Sequence, residues 1–498
     1  MAESEEGSGP PSIGDATEPQ PAAYAAAVEP LGPIREGERL ITLDVLRGVA
    51  MLGILFVNIQ LFSLPFAVGF GMVGMADAPL ADELSWAFVK IFFEYKFISL
   101  FSLLFGAGMV VQMTRAEARG RPFVGLYLRR LAVLAAFGMA HALLLWYGDI
   151  LFVYALIGVF LLLVRNLSGR TMIIVAAAFV LVSAVLSFGC GSLQALMLQR
   201  QAAGQSQVEA DAPAADEVDL ATAEDGPAAD EAEDTAPPEV GEVVGATEDD
   251  RMPRSLRTMI DAQFQPTNPK WIAGELEAYK HGPFADAFIF RAANWSFALM
   301  GAVFSYGWRV AGMFLLGAAL MKLGFFLPTS RRWHAILCVA GFAVGLPMEM
   351  AAAGIIVANE HALNFTAVLA AVIHEVGSFA LCLGYTGAVS LLASSRRLGG
   401  LCRPFARVGR VALTVYLAET IAATAVMYWW GLGWFGDLSR PQLLVMVFAI
   451  YVPLMVLSVL WLRFFTIGPF EWLWRTLTYG RAQPLLRRAG GASSLSTT

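Results

Sequence analysis

The sequence predicts an all-α fold, a polytopic transmembrane helix bundle of roughly ten spans with both termini cytoplasmic. Three observations carry this. The chain is 57% hydrophobic and only 15% charged, with a mean hydropathy of +0.61, which soluble proteins of this size do not show. Apolar segments of spanning length recur, each bracketed by Gly, Pro or charge. The basic residues fall in alternate connections, which is how membrane bundles record their orientation.

Residues 1 to 34 are rich in Ala, Pro, Gly and Glu without an apolar core, so they read as a disordered tail and not as a signal peptide. An N-terminal membrane half, 35 to 200, carries five spans near 43 to 64, 88 to 112, 126 to 146, 149 to 165 and 171 to 195. Residues 201 to 253 form an acidic outward loop, expected to be disordered. About 16 of the 41 acids lie in it, so the rest of the chain is net positive although the formal charge is -7. Residues 254 to 304 read as an interfacial amphipathic helix followed by a re-entrant or slanted segment, because a further span there would reverse every later loop against the basic-residue rule. The C-terminal half, 305 to 480, carries spans near 306 to 326, 333 to 357, 364 to 394, 410 to 431 and 441 to 465, and 481 to 498 is a tail.

Cys190, Cys338, Cys382 and Cys402 are scattered without paired spacing, so neither a disulfide framework nor a metal site is expected. The one charge run is acidic, which excludes nucleic acid as a partner. The expected partners are the lipid bilayer and a small-molecule or glycan acceptor, and no cofactor is firmly implied.

Charged groups inside spans are costly and each needs a partner, a cavity or a boundary position. In the first span Asp44, Arg47 and Asn58 share one helical stripe, with Arg47 and Asn58 roughly 16 Å apart along the axis. Asp44 and Arg47 either form a boundary salt bridge or, with Arg39, line a pocket for a phosphate or carboxylate. Lys96, beside Glu94, is either half of an interfacial ion pair or the mouth of an outward cavity. His141 and Asp149 flank a short turn in HALLLWYGDILFVYALIG, with Trp146 and Tyr154 close. They are either helix caps or a base held by a carboxylate, the arrangement that general-base catalysis needs. His374 and Glu375 sit midway along the eighth span, as bundle-core donors or as a proton relay. Glu349, Glu419, Arg291, Asn294 and Arg309 are further intramembrane candidates.

These pieces together resemble a family. RLITLDVLRG from Arg39 to Gly48, KFISLFSLLFGAGM from Lys96, HALLLWYGDILFVYALIG from His141, GRVALTVYLAET from Gly409 and GPFEWLWRTLTYG from Gly468 are similar, in this order, to the YeiB-like bacterial membrane proteins built on domain of unknown function 418. Val415, Glu419 and Thr420 stand where that family usually has Asn, Gln and Ser. The opening motif also resembles the first helix of membrane acyltransferases of the acyltransferase-3 and heparan-acetylating groups. Asn58 stands ten residues after Gly48, where the acyltransferase-3 group has its His. The resemblance implies a bacterial inner-membrane location and acyl transfer from cytoplasmic acyl-CoA to an acceptor on the far side. The residues themselves then assign Arg47, assisted by Arg39 and Asp44, to the acyl-CoA end, Asn58 to a hydrogen bond between the ends, and His141, oriented by Asp149, to deprotonating a hydroxyl acceptor near the outer face. Alternatives are a transporter of a small metabolite or lipid-linked group, using the intramembrane acids and His374, and a non-catalytic scaffold acting through the acidic loop. Acyl group, acceptor and oligomeric state stay open.

Overall fold

A computed structural model describes residues 40–75, 78–120, 122–210, 252–395 and 397–487. Arg39, both tails and most of the acidic loop, 211–251, lie outside the described residues. Among the described residues the chain is a helical bundle. Eight helices are long and apolar enough to cross a membrane, nine if one bent pair counts as a span. A further apolar helix has 14 residues, Leu151–Val164.

Helix α1, Ile41–Ser63, runs through the centre of the bundle and stops where Pro65 forces Leu64 into the extended region. A short turn of helix, α2 (Phe66–Gly69), follows. The expected second span is two helices, α3 (Leu80–Phe92) and α4 (Lys96–Glu117), separated at Tyr95, whose φ of 62° is left-handed. Such a backbone costs of order 1–3 kcal/mol for a residue with a side chain, and here it turns Glu94 and Lys96 into different environments. Helices α5 (Val124–Leu144) and α6 (Leu151–Val164) form an antiparallel pair, and α7 runs from Gly169 to Ala210, beyond the expected end of the fifth span and into the start of the acidic segment.

Two amphipathic helices, α8 (Arg254–Asp261) and α9 (Pro269–His281), precede α10 (Phe284–Gly301). The segment expected as re-entrant or slanted is the first part of a longer helix. Helix α10 continues through a π-turn at Ala302–Tyr306 into α11, Gly307–Lys322, giving one helix of 39 residues. No proline interrupts it, and the surplus residue is absorbed as a π-bulge. At 1.5 Å per residue this helix is about 58 Å long, nearly twice a hydrocarbon core. It therefore needs only one crossing, and the alternation of basic loops is kept.

Helices α12 (Arg331–Ala358) and α13 (Phe365–Ala393) pack along a seam of small residues, with Gly341 against the backbone of Gly384 and Gly387 against that of Cys338. Helices α14 (Gly399–Arg410) and α15 (Ala412–Met427) meet at a bend of 80°. The last span, α16 (Arg440–Phe464), opens on a Ser439/Gln442 capping box, and an amphipathic helix, α17 (Pro469–Tyr479), closes the described chain. Close approach fixes α1 at the centre: the backbone of Phe405 on α14 sits where a side chain at Gly48 would be, and the Asp44 carbonyl occupies the same place at Gly409. Gly106 and Gly317 let α4 and α11 meet backbone to backbone in the same way.

Candidate functional site

A cavity of about 710 Å³ runs beside α1. Its wall on that helix extends from Leu40 through Asp44, Arg47, Met51 and Ile54 to Asn58. Eighteen residues of helix rise about 27 Å, close to the thickness of a bilayer core. The polar stripe of the first span is thus the wall of one cavity. Between its ends the lining is apolar, with Ile98, Phe101, Leu104, Leu131 and Leu151. Around the Leu40 end, Arg115, Arg119, Arg130, Arg410 and Arg475 join Arg47. These come from separate connections of the sequence, and the fold gathers them at one end.

Arg47 donates to Asp44 at 2.8 Å. The boundary salt bridge and the pocket-lining role therefore coexist, because one guanidinium presents several donors. Arg130 lies over the Trp474 ring at 4.3 Å. Glu471, on α17, also lines this end and caps α15: it accepts from the backbone N–H of Leu413 at 2.7 Å and of Thr414 at 3.1 Å. Burial pushes its carboxyl above the usual carboxylate range, against the lowering effect of those hydrogen bonds. The motif around Glu471 is conspicuous in the sequence, but its partner is 57 residues away, and only the fold reveals the cap.

At the Asn58 end the cavity is lined by Gly148, Ile150 and Tyr416. One layer behind it lies His141, buried to 2% exposure, with the Tyr416 ring 4.9 Å away. His141 Nδ1 is 3.0 Å from Asp149 Oδ2, and Nε2 is 2.9 Å from Thr420 Oγ1 on α15. The other carboxylate oxygen, Asp149 Oδ1, accepts from the Phe152 N–H at 2.8 Å, so Asp149 caps α6 and holds the imidazole at once. Trp146 Nε1 and Tyr147 OH both donate to the Leu61 carbonyl at 3.3 Å, pinning this turn against α1. Tyr154 points elsewhere, lining the cavity and donating to the Ile98 carbonyl at 3.1 Å. Thr420 was not a site candidate in the sequence, since nothing in its local pattern signals a partner 279 residues away.

Lys96, Glu349, His374, Glu375 and Arg309 belong to a second buried cluster, whereas Arg291 donates to the Leu143 and Leu145 carbonyls and Asn294 to Glu275. Lys96 is fully buried and not at a cavity mouth: it bonds Glu349 at 2.6 Å and donates to the Lys90 carbonyl at 2.6 Å. Its neighbour Glu94 pairs instead with Lys90 at 3.2 Å. His374 and Glu375 do not act together, because adjacent helical residues point about 100° apart. His374 Nδ1 is 2.8 Å from Glu349 Oε2, whereas Glu375 takes Arg309 at 2.7 Å. Arg309 also donates to the hydroxyls of Ser99 and Ser378. A second recess, about 420 Å³, lies at the other end of α1, lined by Leu64, Asp82 and Arg440. There Arg440 donates to the Gln60 side chain at 2.8 Å.

Known proteins place this architecture. Residues 320–481 match the family described as protein of unknown function (DUF418). The chain is 32% identical to the uncharacterised protein YxaH of Bacillus subtilis over 466 residues, 92% of this chain and 98% of that one. It is 30% identical to the uncharacterised protein YeiB of Escherichia coli, covering 91% and 99% of the two chains. A third relative, an uncharacterised 39.9 kDa protein from the amylase 3' region of Bacillus acidopullulyticus, is 39% identical over 132 residues, 26% of this chain and 36% of that protein. No solved structure matches.

Proposed function

This chain belongs to the DUF418 family, and we propose that it is a membrane acyltransferase that takes its acyl group from an acyl-CoA. The observation that carries this is the long cavity: arginines at one end, an apolar shaft, and a far end one layer from a His held by a carboxylate. Guanidinium groups grip phosphates bidentately, and a shaft whose Arg47 and Asn58 stand roughly 16 Å apart suits the arm that links the CoA phosphates to the thioester, which it carries to the Asn58 end. His141, oriented by Asp149, is the base that takes a proton from an attacking hydroxyl and returns it to the leaving thiolate. By the positive-inside rule the arginine end faces the cytoplasm of a bacterial inner membrane, where acyl-CoA is available. The acceptor, a small hydroxyl compound or glycan, then comes from the opposite face, where the Asp82/Arg440 recess offers both charges. Purified protein is expected to bind palmitoyl-CoA, and His141→Ala to keep binding while losing turnover. Absence of binding to both acetyl-CoA and palmitoyl-CoA refutes the reading.

A second reading rests on the Lys96–Glu349–His374 and Arg309–Glu375 cluster. Buried charges of this density in a membrane often mark transport paths. Uptake of a solute into proteoliposomes that requires a proton gradient, and that survives Arg47→Ala, favours a transporter over the enzyme.

A further inference from the structure

Resting on the acyltransfer reading, we propose that the Thr420 hydroxyl is the first acceptor of the acyl group, so that transfer passes through a covalent acyl-threonine. Both ring nitrogens of His141 are occupied: Nδ1 by Asp149 at 3.0 Å and Nε2 by Thr420 at 2.9 Å. With the proton on Nδ1 donated to Asp149, Nε2 accepts from the Thr420 hydroxyl. The hydroxyl that His141 is positioned to deprotonate is therefore one of the protein's own. Nucleophile, base and orienting carboxylate in this sequence of contacts are the constellation recognised in covalent acyl transfer on unrelated folds.

The ordinary explanation for a buried helical threonine is a bond to the carbonyl four residues back. Thr424, one turn later, makes that bond at 2.7 Å. At Thr420 the corresponding distance to the Tyr416 carbonyl is 3.2 Å, and the shorter contact goes to His141. Tyr416, one turn before Thr420 on α15, lines the cavity. The hydroxyl thus lies just behind the Asn58 end of the shaft, where a donor held by its phosphates at the arginine end would present its thioester. It also lies on the side of the Trp146–Tyr147 turn, which holds Leu61 and so the end of α1 nearest the second recess. A covalent carrier there would hand the acyl group from a donor at one face to an acceptor at the other without both being bound together.

In the first half-reaction Thr420 Oγ1 bonds to the thioester carbonyl carbon and its proton passes to His141 Nε2. The C–S bond breaks, and the imidazolium proton goes to the departing sulfur, releasing CoA thiol. In the second half the acceptor hydroxyl bonds to the ester carbonyl carbon, its proton passes to Nε2, and the C–Oγ1 bond breaks with return of that proton to Thr420. Asp149 acts in both halves as a positioning residue.

The test needs no knowledge of the acceptor. A covalent intermediate lets labelled CoA exchange into acetyl-CoA or palmitoyl-CoA in the presence of the full-length protein alone. Wild type is expected to catalyse exchange and to carry a hydroxylamine-labile acyl mass on the peptide containing Thr420. Thr420→Ala should lower exchange by at least about 100-fold while acyl-CoA binding stays within about twofold, which also reports that the variant is folded. Thr420→Ser should restore exchange and label. If wild type binds acyl-CoA but neither exchanges nor labels, or if Thr420→Ala exchanges normally, the acyl-threonine is wrong and the acyltransfer reading stands. If wild type binds neither acyl-CoA, both fall.

Discussion

Ile54 lines the cavity on α1 about midway between Arg47 and Asn58, so Ile54→Trp should plug the shaft while leaving the arginine end open. The arm that links the CoA phosphates to the thioester would pass Met51 and Ile54, and losing about 100 Å² of its apolar contact costs about 2.5 kcal/mol, or about 70-fold in Kd. Acetyl-CoA should therefore bind Ile54→Trp about 70-fold more weakly than wild type, whereas ADP, which carries phosphates but no arm, should bind both proteins alike. Calorimetric titration of acetyl-CoA and ADP into both proteins in the same detergent measures this directly. Equal acetyl-CoA affinities in the two proteins refute the course of the shaft along α1, and an equal loss for ADP refutes the separation of the arginine end from the shaft.

Arg47→Ala should weaken acyl-CoA binding by about 10- to 100-fold, as loss of a charge-assisted contact does, and Arg47→Lys should recover part of it; binding at two salt concentrations checks that the loss is electrostatic. Lys96→Met should destabilise by about 3–5 kcal/mol because it leaves Glu349 buried and uncompensated, whereas Lys96→Met with Glu349→Leu should recover most of that stability in thermal unfolding. Burial raises the Glu275 carboxyl to about 8, opposed by its hydrogen bonds from the Phe66 N–H and Asn294. An acid raised in this way binds more protons folded than unfolded, so docking of α9 onto α2 and α10 is strongest below pH 4.5 and weakens as pH rises through 8. Hydrogen-exchange protection of Pro269–His281, taken relative to the base-catalysed intrinsic rate, should fall between pH 4.5 and 8, and Glu275→Gln should remove that dependence.

The sequence carried the bundle because hydropathy and loop charge are summed over many residues. It also carried the polar stripe of α1: Asp44, Arg47 and Asn58 keep helical spacing, and all three line one cavity. Partnerships between distant helices were not legible. His374 beside Glu375 suggested a pair, yet their partners are Glu349 and Arg309, on other helices. Lys96 looked like a boundary residue because the left-handed turn at Tyr95, which carries it inward, has no glycine to announce it. The 284–304 segment, expected as re-entrant or slanted, continues into α11, because parity of crossings was weighed without a helix long enough to extend past the bilayer. His141 and Asp149 were legible since only a short turn separates them, while Thr420 needed the fold.

The central claim is that a phosphate-bearing acyl donor occupies the cavity along α1. A cryo-electron microscopy map of the full chain with palmitoyl-CoA tests it most directly. Phosphate density is expected against Arg47 and Arg130, with the pantetheine arm continuous beside Met51 and Ile54 and the thioester near Asn58. Density confined to the Asp82/Arg440 recess, or an empty shaft at saturating palmitoyl-CoA, contradicts it.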